Sequence, residues 1–325
     1  MEKSIEFTVP GVKGTLVGRY KGRSKNAVVV GVDTAIGFAM AHALREAGFE
    51  VIGLGDAEKA PCDGLAEYRT TDYTAYGIPD DCNMVLFCHD AAARLDRHAA
   101  ALDALCRELA ATRKDGNQVH VCVFTPVNAC ESERTRVRES DALCPHTLRE
   151  LAFAQAEMML HVWCSLTRTA ILPNVIRYGE LYADMPDELP LAGHVNACLR
   201  KVRKKERLES PGLGMQKRTL THLDDFAAMV AAMLRQDFIS SPVNIPGETF
   251  SILDYMIPLD RYSDGEMVMS TQHDEDLPWG LGDRVVSASL FKSELKYTPR
   301  HRFRNWAAAL PEKAPPLRGF DLARA

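Results

Sequence analysis

The stretch NAVVVGVDTAIGFAMAHALREAGFEVIGLGD, residues 26–56, decides the fold. Ala27 to Val30 is a short continuous apolar run, and Gly31 interrupts it. Ile36 to Ala47 then repeats apolar residues at helical spacing up to Gly48, and Val51 to Leu54 is apolar again. Strand, helix, strand in that order predicts the opening of a parallel sheet, and strands apolar on both faces predict a sheet covered on both sides.

The turn inside this unit, Gly31-Val-Asp-Thr34-Ala-Ile-Gly37, stands where a strand hands over to a helix. Free N–H groups and the helix dipole favour a phosphate there, so Gly31, Thr34, Ala35, Ile36 and Gly37 are the candidate cofactor-binding residues. In a G-x-x-G-x-x-G turn the middle glycine lets the backbone approach a pyrophosphate. Here Thr34 holds that place, adding bulk and a hydroxyl able to donate to phosphate. Asp56, just past the second strand, is the candidate acid for a ribose hydroxyl. An ordinary βα turn remains the alternative reading of two glycines and an acid.

Outward from this unit, apolar runs recur at Met84 to Cys88, Val119 to Phe124 and Thr169 to Val175. Helical stretches at Ala91 to Thr112 and Thr147 to Leu166 separate them. The alternation predicts an α/β fold, a Rossmann-like doubly wound parallel sheet. After Gly179 the pattern becomes mixed, with helices expected at Asp224 to Arg235 and near Phe303 to Leu310. The expected organisation is a hairpin extension at 1–25, turning at Pro10-Gly11, followed by a dinucleotide-binding domain at 26–179 and 224–247. A smaller, mixed C-terminal substrate region takes 180–223 and 248–310, and 311–325 is a loosely ordered tail containing Pro315-Pro316.

Composition narrows the function classes. A net charge of -5 over 325 residues gives no general reason to expect nucleic acid. The basic run from Arg200 to Arg207 reads either as the solvated face of a helix or as a site for an anion. No apolar stretch has the length of a membrane span, and the N-terminus lacks a signal-peptide core, so no membrane association and a cytoplasmic location are expected. Nine cysteines, an odd number without a C-x-x-C pair, argue against a disulfide framework. His89, His161 and Cys164 lack ligand spacing, so no metal site is expected.

Several later segments carry a family resemblance. Arg218-Thr-Leu-Thr-His222-Leu-Asp224-Asp225 resembles an R-D-F-x-x-V-D-D stretch, Val243-Asn-Ile-Pro-Gly247 with Phe250-Ser251-Ile252 resembles an N-I-G…S-I element, and Leu290 to Pro299 resembles a segment ending L-G-W-x-P. Pro173-Asn174 and Tyr178-Gly179 are similar to an R-P-x-N-x-Y-G strand end, with Leu172 in place of the arginine. From about Asn26 to Trp306 the chain resembles the NAD-dependent epimerase/dehydratase family, the extended short-chain dehydrogenases. The resemblance implies NAD or NADP as cofactor, with Asp56 favouring NAD. It implies a nucleotide sugar or another anionic small molecule as ligand, with Asn174 and Arg218 in contact with it. It also implies a homodimer through Ala91 to Thr112 and Thr147 to Leu166, a hetero-oligomer being the other possibility for association.

The departure from that family is chemical. Its Tyr-x-x-x-Lys pair transfers a proton as hydride moves, the lysine lowering the tyrosine's pKa. This chain has no tyrosine between Gly77 and Arg177, and its only lysine there is Lys114. Arg149 and Phe153 take the two positions, and Thr125 is the one hydroxyl at the preceding strand end, hence a weak catalytic candidate. Arginine stays protonated and cannot exchange that proton. Either a displaced group such as His146, Glu150 or Cys130 performs oxidoreduction or epimerisation, or the protein is a non-catalytic scaffold or regulatory subunit.

Overall fold

The computed structural model describes residues 5–9, 12–16, 26–89, 95–113, 118–130, 136–167, 170–235, 242–263, 267–270 and 282–310. The expected turn at Pro10-Gly11, the start of the helix at Ala91, the run's first residue Thr169 and the tail from 311 lie outside them.

Strands β1 (Ile5–Val9) and β2 (Val12–Leu16) form an antiparallel hairpin with Val9 opposite Val12. The chain then runs through β3 (Asn26–Val30), α1 (Ala35–Glu46), β4 (Glu50–Gly55), β5 (Glu67–Thr70), β6 (Met84–Phe87), α2 (Leu95–Thr112) and β7 (Val119–Pro126). There follow β8 (Arg136–Val137), α3 (Leu148–Leu166), β9 (Ile171–Tyr178), β10 (Glu180–Tyr182), α4 (His194–Arg203), β11 (Glu209–Pro211), β12 (Lys217–His222) and α5 (Leu223–Arg235). Last come β13 (Val243–Asn244), β14 (Glu248–Ser251), α6 (Ile252–Asp260), β15 (Val268–Ser270), β16 (Val285–Val286), α7 (Ser289–Glu294) and α8 (Phe303–Ala308).

Seven of these strands pair in the order β13-β9-β7-β6-β3-β4-β5, all parallel. The fold is the doubly wound sheet that the sequence predicts. The order reverses between β3 and β6, and such a switch point opens a crevice at the carboxyl ends of the strands. One core packs α1 and α5 against the sheet through residues such as Val29, Met40 and Phe226, and another packs α2 and α3 against the opposite face through Val28, Leu102 and Leu160. The mixed region has its own core around Tyr182, Tyr255, Phe303 and Trp306, and its three-stranded sheet runs β10-β12-β14.

The edge strand β5 was not expected. Glu-Tyr-Arg-Thr has no apolar run, because an edge position buries only part of each side chain. The basic run from Arg200 ends α4 and then leaves the helix; Arg200 donates to the Leu191 carbonyl and Arg203 pairs with Asp184, so part of its charge is absorbed within the fold.

Behind the crevice, Glu157 of α3 and Arg177 of β9 form a buried ion pair at 2.5 Å, the side chains 5% and 4% exposed. Arg177 also donates to the carbonyls of Glu139 and Asp141, so one guanidinium ties a helix, a strand and the preceding loop. Glu157→Ala strands that charge in the interior and is expected to cost about 3–5 kcal/mol in chemical unfolding. The double change Glu157→Leu with Arg177→Met should recover most of the loss.

Candidate functional site

The β3–α1 turn is built by close packing. Gly31 has φ +78, and a Cβ there would lie 2.9 Å from the Cys88 carbonyl and the His89 amide; a Cβ on Gly37 would lie 2.0 Å from the Gly31 oxygen. Only glycine permits β3, β6 and α1 to meet so tightly. Thr34 is the N-cap of α1, its Oγ1 accepting from the Gly37 amide at 3.0 Å. The same oxygen lies 2.8 Å from the Gly31 carbonyl and 3.0 Å from that of Cys88. The hydroxyl expected to face a phosphate is thus already committed to the turn. Thr34, Ala35 and Ile36 still line the crevice.

Asp56 stands exposed at the end of β4, and the acid that closes this corner is Asp33. One Asp33 oxygen accepts from the amides of Asp56 and Ala57 at 2.7 and 3.0 Å, and the other is buried without a hydrogen-bond partner. Burial raises the Asp33 pKa, the Ala57 amide opposes it, and the neighbouring Asp56 carboxyl raises it again. Asp33 needs Gly55 beneath it, where a Cβ would come within 2.6 Å of its carboxyl carbon. No fingerprint spacing signals this role, because Asp33 sits at a variable position of the turn.

The crevice holds about 990 Å³ of empty space, its mouth included, and runs from this turn to Tyr178, Glu180 and Gly193. Arg149 and Phe153 both line it, the guanidinium carbon 5.9 Å from the ring centroid. They stand on the first turns of α3, whose start is fixed by a capping box between Thr147 and Glu150. Behind Phe153 lie two buried imidazoles, His98 at 5.5 Å between ring centroids and His89, the two Nδ1 atoms 3.2 Å apart. Burial, with His89 adding to it, lowers the His98 pKa to about 3, so it is neutral at working pH.

Other expected residues are placed elsewhere. Thr125 is 1% exposed, its hydroxyl without a hydrogen-bond partner; Val123, Phe124 and Pro126 line the crevice, and Thr125 is not part of that lining. Asn174 is fully buried in mid-β9, opposite Cys122, and 3.2 Å from the His120 ring. The structure does not bring it to the crevice. Arg218 is 4% exposed, donates to the carbonyls of Lys217 and Gly282, and bridges to Arg284; neither arginine is part of the crevice lining.

Of the suggested stand-ins for the proton relay, only Glu150 lines the crevice, and one of its oxygens accepts from the amides of His146 and Thr147. Cys130 is buried in a separate cluster, and burial pushes its thiol up to about 12. His146 is exposed. The group sequence reading missed is Glu180, which follows Tyr178-Gly179 into the crevice wall. Burial raises its pKa to about 7, against the Val195 amide that donates to it at 2.5 Å and the positive charge of Arg218. It escaped notice because its burial depends on α4 closing over it. A second cluster outside the crevice, His222, Asp224 and His301, was equally invisible, since 79 residues separate its ends.

A folded Glu180 near 7 against an ordinary value of 4.5 favours the folded state at low pH. The unfolded chain releases the proton first, so this contribution is present below about pH 4.5 and is lost as pH rises through 7. The stability of the wild type minus that of Glu180→Gln should therefore fall between pH 5 and 8, by up to about 3 kcal/mol. Paired thermal or chemical unfolding across that range reads it directly.

No protein-family profile matches the chain, and neither does any curated protein sequence. Solved structures do. UDP-N-acetylglucosamine 4-epimerase from Methanobrevibacter ruminantium, in complex with UDP-N-acetylmuramic acid, superposes with a TM-score of 0.72 at 14% identity, over 88% of this chain and 97% of that one. UDP-glucuronic acid 4-epimerase from Bacillus cereus, with UDP-glucuronic acid and NAD, gives 0.69 at 17% over 87% and 97%. UDP-glucose 4-epimerase from Thermotoga maritima, with UDP-glucose, gives 0.69 at 16% over 87% and 96%. At that identity the likeness concerns architecture: over most of its length the chain has the fold of the NAD-dependent nucleotide-sugar epimerases.

Proposed function

We propose that this protein binds a nucleotide in the crevice at the strand switch point, with NAD the favoured cofactor, and that it does not use a tyrosine proton relay. The single observation that carries the second half is the Arg149–Phe153 pair on the crevice wall, a permanent cation beside an aromatic ring. Neither side chain can give up and retake a proton at neutral pH.

The phosphate end fits a ligand better than the reacting end does. The amides of Ala35 and Ile36 head α1 and would hold a diphosphate, while Thr34 crowds its approach. Asp56 and the unpartnered oxygen of Asp33 would take ribose hydroxyls, and two carboxylates at that corner repel a 2′-phosphate. Support for a nucleotide sugar as the second ligand comes from the complexes of the structural neighbours with UDP-sugars. NAD bound here supplies a hydride acceptor. The residues of this chain then orient and enclose, and the protein works as a ligand-sensing or scaffold member of its fold.

A second reading, catalysis by a displaced acid–base group, is favoured by Glu180, a carboxyl with a pKa of about 7 in the crevice wall. The outer side of α3 also supports association. Leu148, Leu151, Met158, Val162 and Leu166 form an exposed apolar stripe along it, consistent with a dimer through α2 and α3.

Calorimetric titration with NAD+, NADH, NADP+ and NADPH should show binding of the NAD forms and little of the NADP forms, and no turnover of UDP-sugars. Turnover that Glu180→Gln abolishes would replace the non-catalytic reading with the second one, and binding of no dinucleotide would sink both. Thr34→Gly removes the crowding methyl-bearing side chain and should tighten NAD binding by about 5- to 10-fold, the worth of roughly one hydrogen bond. The cost to α1 should be only a few tenths of a kcal/mol. Val162→Glu with Leu166→Glu should convert a dimer to a monomer in light scattering; an unchanged mass would remove α3 from the interface.

A further inference from the structure

Besides its two imidazoles, the described crevice wall carries the ionisable side chains of Arg149, Glu150 and Glu180, and the two carboxyls already have partners. Glu150 Oε2 accepts from the amides of His146 and Thr147 at 2.8 and 3.1 Å, and its charge acts on the buried Arg284 guanidinium. Glu180 accepts from the Val195 amide at 2.5 Å and lies in the field of Arg218. Arg149 is different: it makes no hydrogen bond and no ion pair with the described residues. Its contact is with Phe153, 5.9 Å from guanidinium carbon to ring centroid, and a ring supplies no lone pair to the five N–H donors of a guanidinium.

Asn128 repeats the pattern from the strand side. It stands in the short turn Val127–Ala129 that follows β7, closed by the Cys130 amide donating to the Val127 carbonyl at 3.1 Å, and the turn packs against α3. Asn128 lines the crevice, and only 8% of the residue is exposed. Its carboxamide has no hydrogen-bond partner among the described residues. A buried amide without a partner costs free energy that a bound polar group recovers. The fold itself holds both residues in place, Asn128 by this turn and Arg149 by the capping box that starts α3.

We propose that Arg149 and Asn128 select a nucleotide sugar whose ring bears a carboxylate, as a uronic acid does. A guanidinium fork meets a carboxylate with two parallel N–H donors, and the Asn128 carboxamide donates to a ring hydroxyl beside it. Phe153, in the same wall, gives the sugar ring an apolar neighbour. Glu150 and Glu180 are engaged by backbone amides at the starts of α3 and α4, so the acid of the ligand meets the wall's unpaired cation. An uncharged hexose leaves Arg149 unanswered, and a site whose polar groups the wrong ligand leaves unpaired discriminates strongly against it. The inference rests on the crevice being a nucleotide-sugar site and adds the charge of the sugar to that reading.

Calorimetric titration of the full chain with UDP-glucuronic acid and with UDP-glucose, each in the presence of NAD+, tests it. UDP-glucuronic acid should bind at least about 10-fold more tightly, the worth of a charge-assisted pair. Arg149→Gln should erase the preference, and Arg149→Lys, which keeps the charge and loses the fork, should retain only part of it. Arg149 is half-buried on an early turn of α3, so these variants should fold, and thermal melting checks that they do. Asn128→Ala should weaken UDP-glucuronic acid by about 5- to 10-fold. Equal affinity for the two sugars, or a preference that survives Arg149→Gln, overturns the inference and leaves the nucleotide-sugar reading standing. Binding of neither sugar overturns that reading, and the inference with it.

Discussion

The contact on which the rest depends is that of the Gly31 backbone with the end of β6. It brings two neighbouring strands and a helix start to one point, and the missing Cβ atoms of Gly31 and Gly37 make it possible. Because β3 is the central strand at the reversal of order, this contact also fixes where the crevice opens. Thr34 then uses its hydroxyl to stitch the same three pieces together. The turn is thus tied together by a side chain that also lines the crevice.

Burial is the second organising force, and it sets the chemistry of the crevice. Glu180, His98 and Asp33 all have their charged forms disfavoured primarily by desolvation, with neighbouring charges in a secondary role. The result is a crevice wall in which burial resists the charging of Glu180 and His98, with Arg149 set over the Phe153 ring nearby.

Much of the fold was legible because each signal is local. The apolar runs of the sheet, the helices between them, and the glycines of the first turn follow from spacing and sterics in adjacent residues. The hairpin pairing of β1 with β2 follows in the same way. Arg149 and Phe153, which the family resemblance aligns with its tyrosine and lysine, both line the crevice. What failed to show was whatever depends on which way a strand residue points or on distant closure. Thr125 and Asn174 sit on strands that run two and three residues past the expected apolar runs, to Pro126 and Tyr178, and neither residue lines the crevice. Asp33, Glu180 and the His222–His301 stack depend on contacts across 15 to 79 residues, which local spacing does not reveal.

Helix α3 has two working sides. Arg149, Glu150 and Phe153 form crevice wall, while the apolar stripe from Leu148 to Leu166 faces outward on the same rod. Glu157 and Arg177 pin its middle to β9. Were an occupied crevice to shift α3, the outward stripe would shift with it, and a neighbour seated on the stripe would bias the crevice. Linkage makes such an effect equal in both directions: whatever factor the occupied crevice lends to association, association returns to the affinity of the crevice.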